Sequence, residues 1–116
     1  MAVPKRKQNE QDMRQAEVLK QAKAVILSLL PDADVILYGS RARGESTWES
    51  DWDLLVLTDQ PFSHELEFKL WDMLYPVMLE CEAVISAFIR NRQEWSSPLS
   101  KASPYHQSID RDGVII

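Results

Sequence analysis

Apolar residues in the first third of the chain recur at helical spacing. Leu19, Ala22, Ile26, Leu29 and Leu30 lie three or four apart and predict one amphipathic helix over 11–30. Pro31 stops it, because the residue before a proline is pushed out of the α region. The period then changes. Val35, Ile36, Leu37 and Tyr38 form a continuous apolar run of the length of a buried strand. A second strand is expected over 51–57, and Asp59, Gln60 and Pro61 break it. Ser63 suits the N-cap of the next helix, with Glu65 and Glu67 near its positive end. Leu66, Leu70, Met73, Leu74 and Val77 give that helix its apolar face, and Pro76 should end or kink it. A long third strand is expected over 79–89, then a short helix from an Asn91 cap to Trp95 and a loop over 96–102. Ser103 and Pro104 open a last helix, Gly113 suits its C-terminal end, and 114–116 can add an edge strand. Residues 1–10 read as a flexible basic tail and 11–116 as a single domain. The order α-β-α-β-α-β-α with an optional last strand predicts an α/β or α+β fold.

Length and composition narrow the function classes. A chain of 116 residues with 45% apolar residues can bury a core without a staple. No apolar run approaches the ~20 residues of a membrane helix, so no membrane span is expected. Cys81 is the only cysteine, which excludes an internal disulfide framework and a cysteine-based zinc site and points to a cytoplasmic setting. The net charge is −5, and three of the thirteen cations sit in the first seven residues. The remainder is strongly acidic, so direct nucleic-acid binding is not expected. A small anionic substrate carried with a metal ion stays compatible with that balance.

Two segments carry candidate chemistry. The chain has three glycines, and two of them, Gly39 and Gly44, bracket the corner Gly39-Ser40-Arg41-Ala42-Arg43-Gly44. A glycine lets the backbone turn sharply and approach a ligand, first-turn amides attract anions, and Ser40 and Arg43 add a hydroxyl and a guanidinium. This is a phosphate-binding corner, but it is neither a Walker A loop nor a Rossmann turn. The bland reading is a strand-to-helix corner with solvated arginines. The second segment, Ser50-Asp51-Trp52-Asp53-Leu54, places Asp51 and Asp53 on one strand face, about 7 Å apart. Paired carboxylates ahead of an apolar run repel each other unless a cation joins them. Mg²⁺ takes one or two carboxylates plus phosphate oxygens.

Together, Gly39-Ser40-x-Ala42-Arg43-Gly44 and Ser50-Asp51-x-Asp53-Leu54 resemble the signature of the polymerase-β-type nucleotidyltransferases, most closely the short minimal nucleotidyltransferase (MNT) proteins. The resemblance implies a small mixed sheet with helices mainly on one face. It implies transfer of a nucleoside monophosphate, AMP from ATP by family default, to an acceptor hydroxyl with release of pyrophosphate. Gly39, Ser40 and Arg43 would then bind the nucleotide, and Asp51 and Asp53 would hold Mg²⁺. Arg43 could instead brace the loop. A third carboxylate is implied on the neighbouring strand. Glu82 is favoured slightly over Glu80, although the family's aspartate lies deeper, where this chain offers Val84 or Ser86.

Other residues carry weaker signals. Trp48 and Trp52 flank the acidic pair and could stack on a base, whereas Trp71 and Trp95 read as packing residues. His64 and His106 look isolated, and Cys81 reads as a small buried residue. The MNT resemblance implies a HEPN-type toxin as partner, neutralised by nucleotide transfer. The alternative is a non-catalytic module of the same fold that blocks the partner by contact. A small-molecule nucleotidyltransferase ranks last, because the family's antibiotic-modifying members add a helical acceptor domain that the sequence does not show.

Overall fold

The computed structural model describes residues 3–47 and 49–116, with side chains from Met13 onward except Trp48. The elements run α1 (Val3–Leu29), β1 (Asp34–Tyr38), α2 (Ser40–Arg43), β2 (Trp52–Thr58), α3 (His64–Cys81), β3 (Ile85–Asn91), α4 (Arg92–Trp95), α5 (Pro98–Lys101), α6 (Pro104–Asp112) and β4 (Val114–Ile115). The sheet order is β3-β2-β1-β4. β1 pairs antiparallel with both β2 and β4, while β2 and β3 are parallel. A parallel pair needs a long crossover, and α3 supplies it.

Strand alternation sorts the sheet into two faces. On one, Val35, Leu37, Leu54, Val56, Ala87 and Ile89 are buried. They form one core with Val18, Ala22 and Ile26 of α1 and Leu70, Leu74 and Val77 of α3. Both long helices thus cover the same face. The shorter α6 lies over part of the other, where Tyr105 packs edge-on against Tyr38 of β1 at 5.6 Å. The fold is therefore mixed α/β, with its long helices on one side, as the family resemblance implies.

β3 is the outer strand on its side, and an outer strand leaves a row of unpaired backbone groups. Two α3 side chains close part of that row. Glu67 accepts the Ile89 amide at 2.9 Å, and the Trp71 indole donates to the Ala87 carbonyl at 2.6 Å.

Three details differ from the sequence expectation. First, the backbone of 3–10 is helical and continues α1 rather than forming a tail. The stretch before Leu19 is rich in Gln, Glu, Arg, Met and Ala, which favour helix even without an apolar face. Second, α3 passes through Pro76 and ends at Cys81, and β3 starts only at Ile85. Pro76 is exposed, so the Asp72 carbonyl that its missing N–H would have served can face water. The 79–84 stretch is thus helix end and connection, not strand. Glu82 caps α3 in the left-handed conformation at φ 51°, its amide donating to the Met78 carbonyl. The Arg14 guanidinium donates to the Cys81 carbonyl at 2.9 Å and also to the Glu82 carbonyl. Those oxygens would otherwise be orphaned at the helix end.

Third, 96–102 holds α5, capped by Ser97 with Pro98 in its first turn, the same signal that opens α6. Gly113 closes α6 where the sequence puts it, in an extended conformation. What it provides is space. A Cβ there would sit 2.6 Å from the Ile109 carbonyl and 2.8 Å from Ile36 Cγ2.

Candidate active site

The Gly-Ser corner and the acidic pair meet at one end of the β1–β2 pair. β1 ends at Tyr38, whose antiparallel partner is Asp53. The chain then reverses at Gly39, which has φ 74°, where L side chains are strained. Space adds a second constraint. A Cβ built on Gly39 would overlap the Asp53 carboxylate oxygen. The two halves of the motif therefore interlock: the side chain missing from Gly39 leaves the volume that Asp53 fills. The Gly39 carbonyl accepts the Ala42 and Arg43 amides at 3.1 and 3.2 Å, which closes the single turn α2. Gly44, also at φ 74°, ends that turn in the left-handed conformation. Ser40 is the first residue of α2 and stands beside Gly39 at the mouth of the corner.

Asp53 is half-buried in β2, and Asp51 is exposed just before the strand. Burial pushes the Asp53 carboxyl above its ordinary range, the nearby Asp51 charge pushes the same way, and Arg43 opposes both. Two crowded hard-oxygen donors, one of them disfavoured as a bare anion, fit a divalent cation shared with phosphate oxygens. Among the described residues, no group of three or more His, Cys, Asp or Glu is placed to hold a metal ion. Glu82, the expected third carboxylate, caps α3, and Glu80 lies within that helix. Both line a groove with Arg14, Glu17, Gln21 and Cys81 on the α1–α3 side of the molecule. The register neighbour of Asp53 on β3 is Ser86.

The two arginines of the corner do different work. Arg43 is exposed and pairs with Glu45 at 3.1 Å, while its charge still acts on Asp53. Arg41 braces the following loop. Its Nε and one terminal nitrogen donate to the Ser50 carbonyl at 3.2 and 2.8 Å, and its guanidinium lies 3.9 Å over the Trp52 ring. Trp52 alternates away from the acids into the α1–α3 core and is 2% exposed. It cannot stack on a base, because the face it points to is filled. Trp48 lies outside the described residues.

The sequence reading missed Tyr38 and Tyr105 as neighbours of the site. Tyr105 donates its hydroxyl to that of Tyr38 at 3.0 Å, and burial raises the Tyr38 phenol well above its ordinary range. Strand alternation puts Tyr38 on the Asp53 face, but only the tertiary fold brings α6 there. His106 is buried, not isolated. It stacks on Trp95 at 4.0 Å, its Nδ1 lies 3.0 Å from the Ser100 hydroxyl, and its Nε2 lies 3.2 Å from Asp110. His64 stacks on Phe68. Trp71 and Trp95 do pack, as expected, and the half-buried Cys81 packs against the core.

Comparison with known proteins decides the family. Residues 19–99 match the model of the nucleotidyltransferase domain family, which spans both motif halves and most of the fold. The chain belongs to the nucleotidyltransferase domain family. This nucleotidyltransferase is 27% identical over 82 residues to a Methanocaldococcus jannaschii protein named "Putative protein adenylyltransferase MJ0604", covering 71% of this chain and 75% of that protein. Its fold is similar to a chain of a solved structure described as a toxin–antitoxin with AMP-PNP. The TM-score is 0.56 at 17% identity, covering 82% of this chain and 69% of the other. The likeness to that solved chain is one of fold. Among the described residues, no helix is long and apolar enough to cross a membrane.

Proposed function

We propose that this nucleotidyltransferase moves AMP from ATP to a hydroxyl of a partner protein, as the antitoxin of a toxin–antitoxin pair whose toxin is of the HEPN type. The observation that carries the reading is the interlock of Gly39 with Asp53, with Asp51 beside it. A turn with open backbone against two carboxylates can hold a phosphate chain on one side and a metal on the other. Gly39 and Ser40 form the phosphate wall, Arg43 adds positive charge, and Asp51 and Asp53 hold Mg²⁺. Bound there, Mg²⁺ would neutralise phosphate oxygens and ease departure of pyrophosphate. The chain's own part is to position: the corner fixes the triphosphate, and the acceptor oxygen replaces pyrophosphate on the α-phosphorus. Two further facts support the partner and the nucleotide. The Methanocaldococcus relative carries a protein adenylyltransferase name, and the solved neighbour is a toxin–antitoxin with AMP-PNP.

One observation favours a second reading. Ser86 stands where a strand-borne carboxylate would face Asp53, so acceptor activation has one fewer acidic group to draw on. In that reading the same fold neutralises its partner by contact. Labelled ATP, Mg²⁺, the protein and the product of its neighbouring gene separate the two. Transfer predicts label on the neighbour that disappears with Asp51→Asn and Asp53→Asn. Neutralisation that survives both substitutions with no label transferred supports contact instead.

A further inference from the structure

Asp53 has a neighbour on each side, and the two sides differ. The sheet order places β2 between β1 and β3. One rung of the sheet runs Tyr38, Asp53, Ser86. Trp52 and Leu54 on β2, and Ile85 and Ala87 on β3, all enter the α1–α3 core. Alternation therefore turns Asp53 and Ser86 together to the opposite face, on strands about 4.8 Å apart. On the β1 side stands the corner, since Gly39 follows Tyr38 and its missing side chain leaves room for the Asp53 carboxylate. Tyr105 of α6 packs on Tyr38 on that same side. On the β3 side stands Ser86, half-buried, its hydroxyl making no hydrogen bond to another described residue.

In-line transfer gives the two sides different work. The attacking and leaving oxygens lie on opposite sides of the α-phosphorus. With the phosphate chain on the Gly39–Ser40 corner, pyrophosphate leaves toward β1. The acceptor oxygen then arrives from β3, over Ser86. A cation placed there could activate the acceptor, but a neutral hydroxyl is a poor anchor for Mg²⁺, which prefers carboxylate and phosphate oxygens. The acids expected in that role stand elsewhere. Glu82 caps α3, Glu80 lies within that helix, and both line the groove on the α1–α3 side. Asp51 and Asp53 are left to hold an ion with the phosphates, and the β3 neighbour of Asp53 adds no charge.

We propose that Ser86 is the acceptor-side residue of the site, hydrogen-bonded to the incoming hydroxyl, and that the site takes one divalent cation per nucleotide where a carboxylate at position 86 would make it two. In the transfer the acceptor oxygen bonds to the α-phosphorus and the bond to pyrophosphate breaks. The acceptor proton passes to water, because Ser86 Oγ accepts a hydrogen bond but is too weak a base to keep a proton. The inference rests on the reading that the corner binds a nucleoside triphosphate.

The test counts bound Mn²⁺ by electron paramagnetic resonance in the full chain mixed with an equal amount of α,β-methylene ATP, which cannot release pyrophosphate. Broadening of the Gly39 and Asp53 amides by Mn²⁺ shows that the complex is seated at the corner. One ion per nucleotide is expected in the wild type and in Ser86→Ala, and two in Ser86→Asp. Ser86→Asp should also melt earlier without divalent ions and recover when they are added, because it sets like charges side by side. With labelled ATP and the product of the neighbouring gene, Ser86→Ala should raise the KM for that acceptor roughly fivefold and leave the KM for ATP unchanged. Two ions in the wild type, a count that needs no variant to fold, would overturn the one-cation site, as would a single ion in folded Ser86→Asp. An unchanged acceptor KM in Ser86→Ala, or no transfer by any of the three chains, would overturn the acceptor contact. Amides that never broaden would sink the nucleotide reading itself, a result distinct from a seated complex with the wrong ion count.

Discussion

Gly39 and Asp53 are one device read from two places in the chain. Glycine is required at position 39 by both its left-handed φ and the carboxylate that occupies its missing side chain. Gly39→Ala should therefore lower stability by about 1–3 kcal/mol, visible as an earlier urea midpoint, and should also weaken ATP binding. Asp53 behaves in the opposite sense. Its carboxyl holds a proton to higher pH in the folded chain than the ordinary 3.8, chiefly through burial. The folded state then binds that proton more tightly than the unfolded state, so this group's contribution falls as pH rises through the raised value. Asp53→Asn should remove that penalty and raise the melting temperature at pH 7, with little change below pH 3, while cutting transfer by roughly a hundredfold or more. A melting temperature that drops at pH 7 would mean that the carboxylate is structurally needed even without a cation.

At the scale of elements, the far end of the sheet is fastened by charge. Asp32 accepts the Asp59 amide at 2.7 Å and the Thr58 hydroxyl at 2.9 Å, and Arg92 of α4 bridges Asp32, Asp34 and Asp59. The Asp32 carboxyl lies below its ordinary range, with the Asp59 amide as the largest cause. Its stabilisation is present above the unfolded value near 3.8 and is lost as pH falls through the lowered one. Asp32→Ala should cost about 1 kcal/mol at pH 7, discounted for exposure, or roughly 4 °C, and the difference from wild type should vanish near pH 2 in thermal melts.

Much of the element order was legible because it rests on local signals. The Leu19–Leu30 period, the apolar run 35–38, and the Ser63, Asn91 and Ser103 caps all act within a few residues. The C-terminal half of α3 was not legible. Leu79-Glu80-Cys81-Glu82-Ala83-Val84 alternates like a strand, and Pro76 argued for a stop. The helix persists because its proline faces solvent and because Arg14, far away in sequence, closes its end. That boundary also changes where the expected third carboxylate sits, since a β3 that starts at Ile85 leaves Glu80 and Glu82 off the strand. Tyr105 and the two roles of Arg41 and Arg43 were hidden for a similar reason. They depend on contacts between elements, which spacing along the chain does not encode.

In the whole molecule, one side of the sheet is spent on stability and one end of the other on chemistry. α1 and α3 bury the first face, α6 covers part of the second, and the β1–β2 end carrying Gly39, Ser40, Asp51 and Asp53 stays within reach of a ligand. The central claim is that this end holds a nucleoside triphosphate through Mg²⁺. Titrating ATP into the isotope-labelled chain, with and without Mg²⁺, tests it most directly. Mg²⁺-dependent binding with amide shifts centred on Gly39, Ser40 and Asp53, lost in Asp51→Asn with Asp53→Asn, is the predicted result. Binding that ignores both the metal and the two substitutions, or shifts centred elsewhere in the chain, would contradict it.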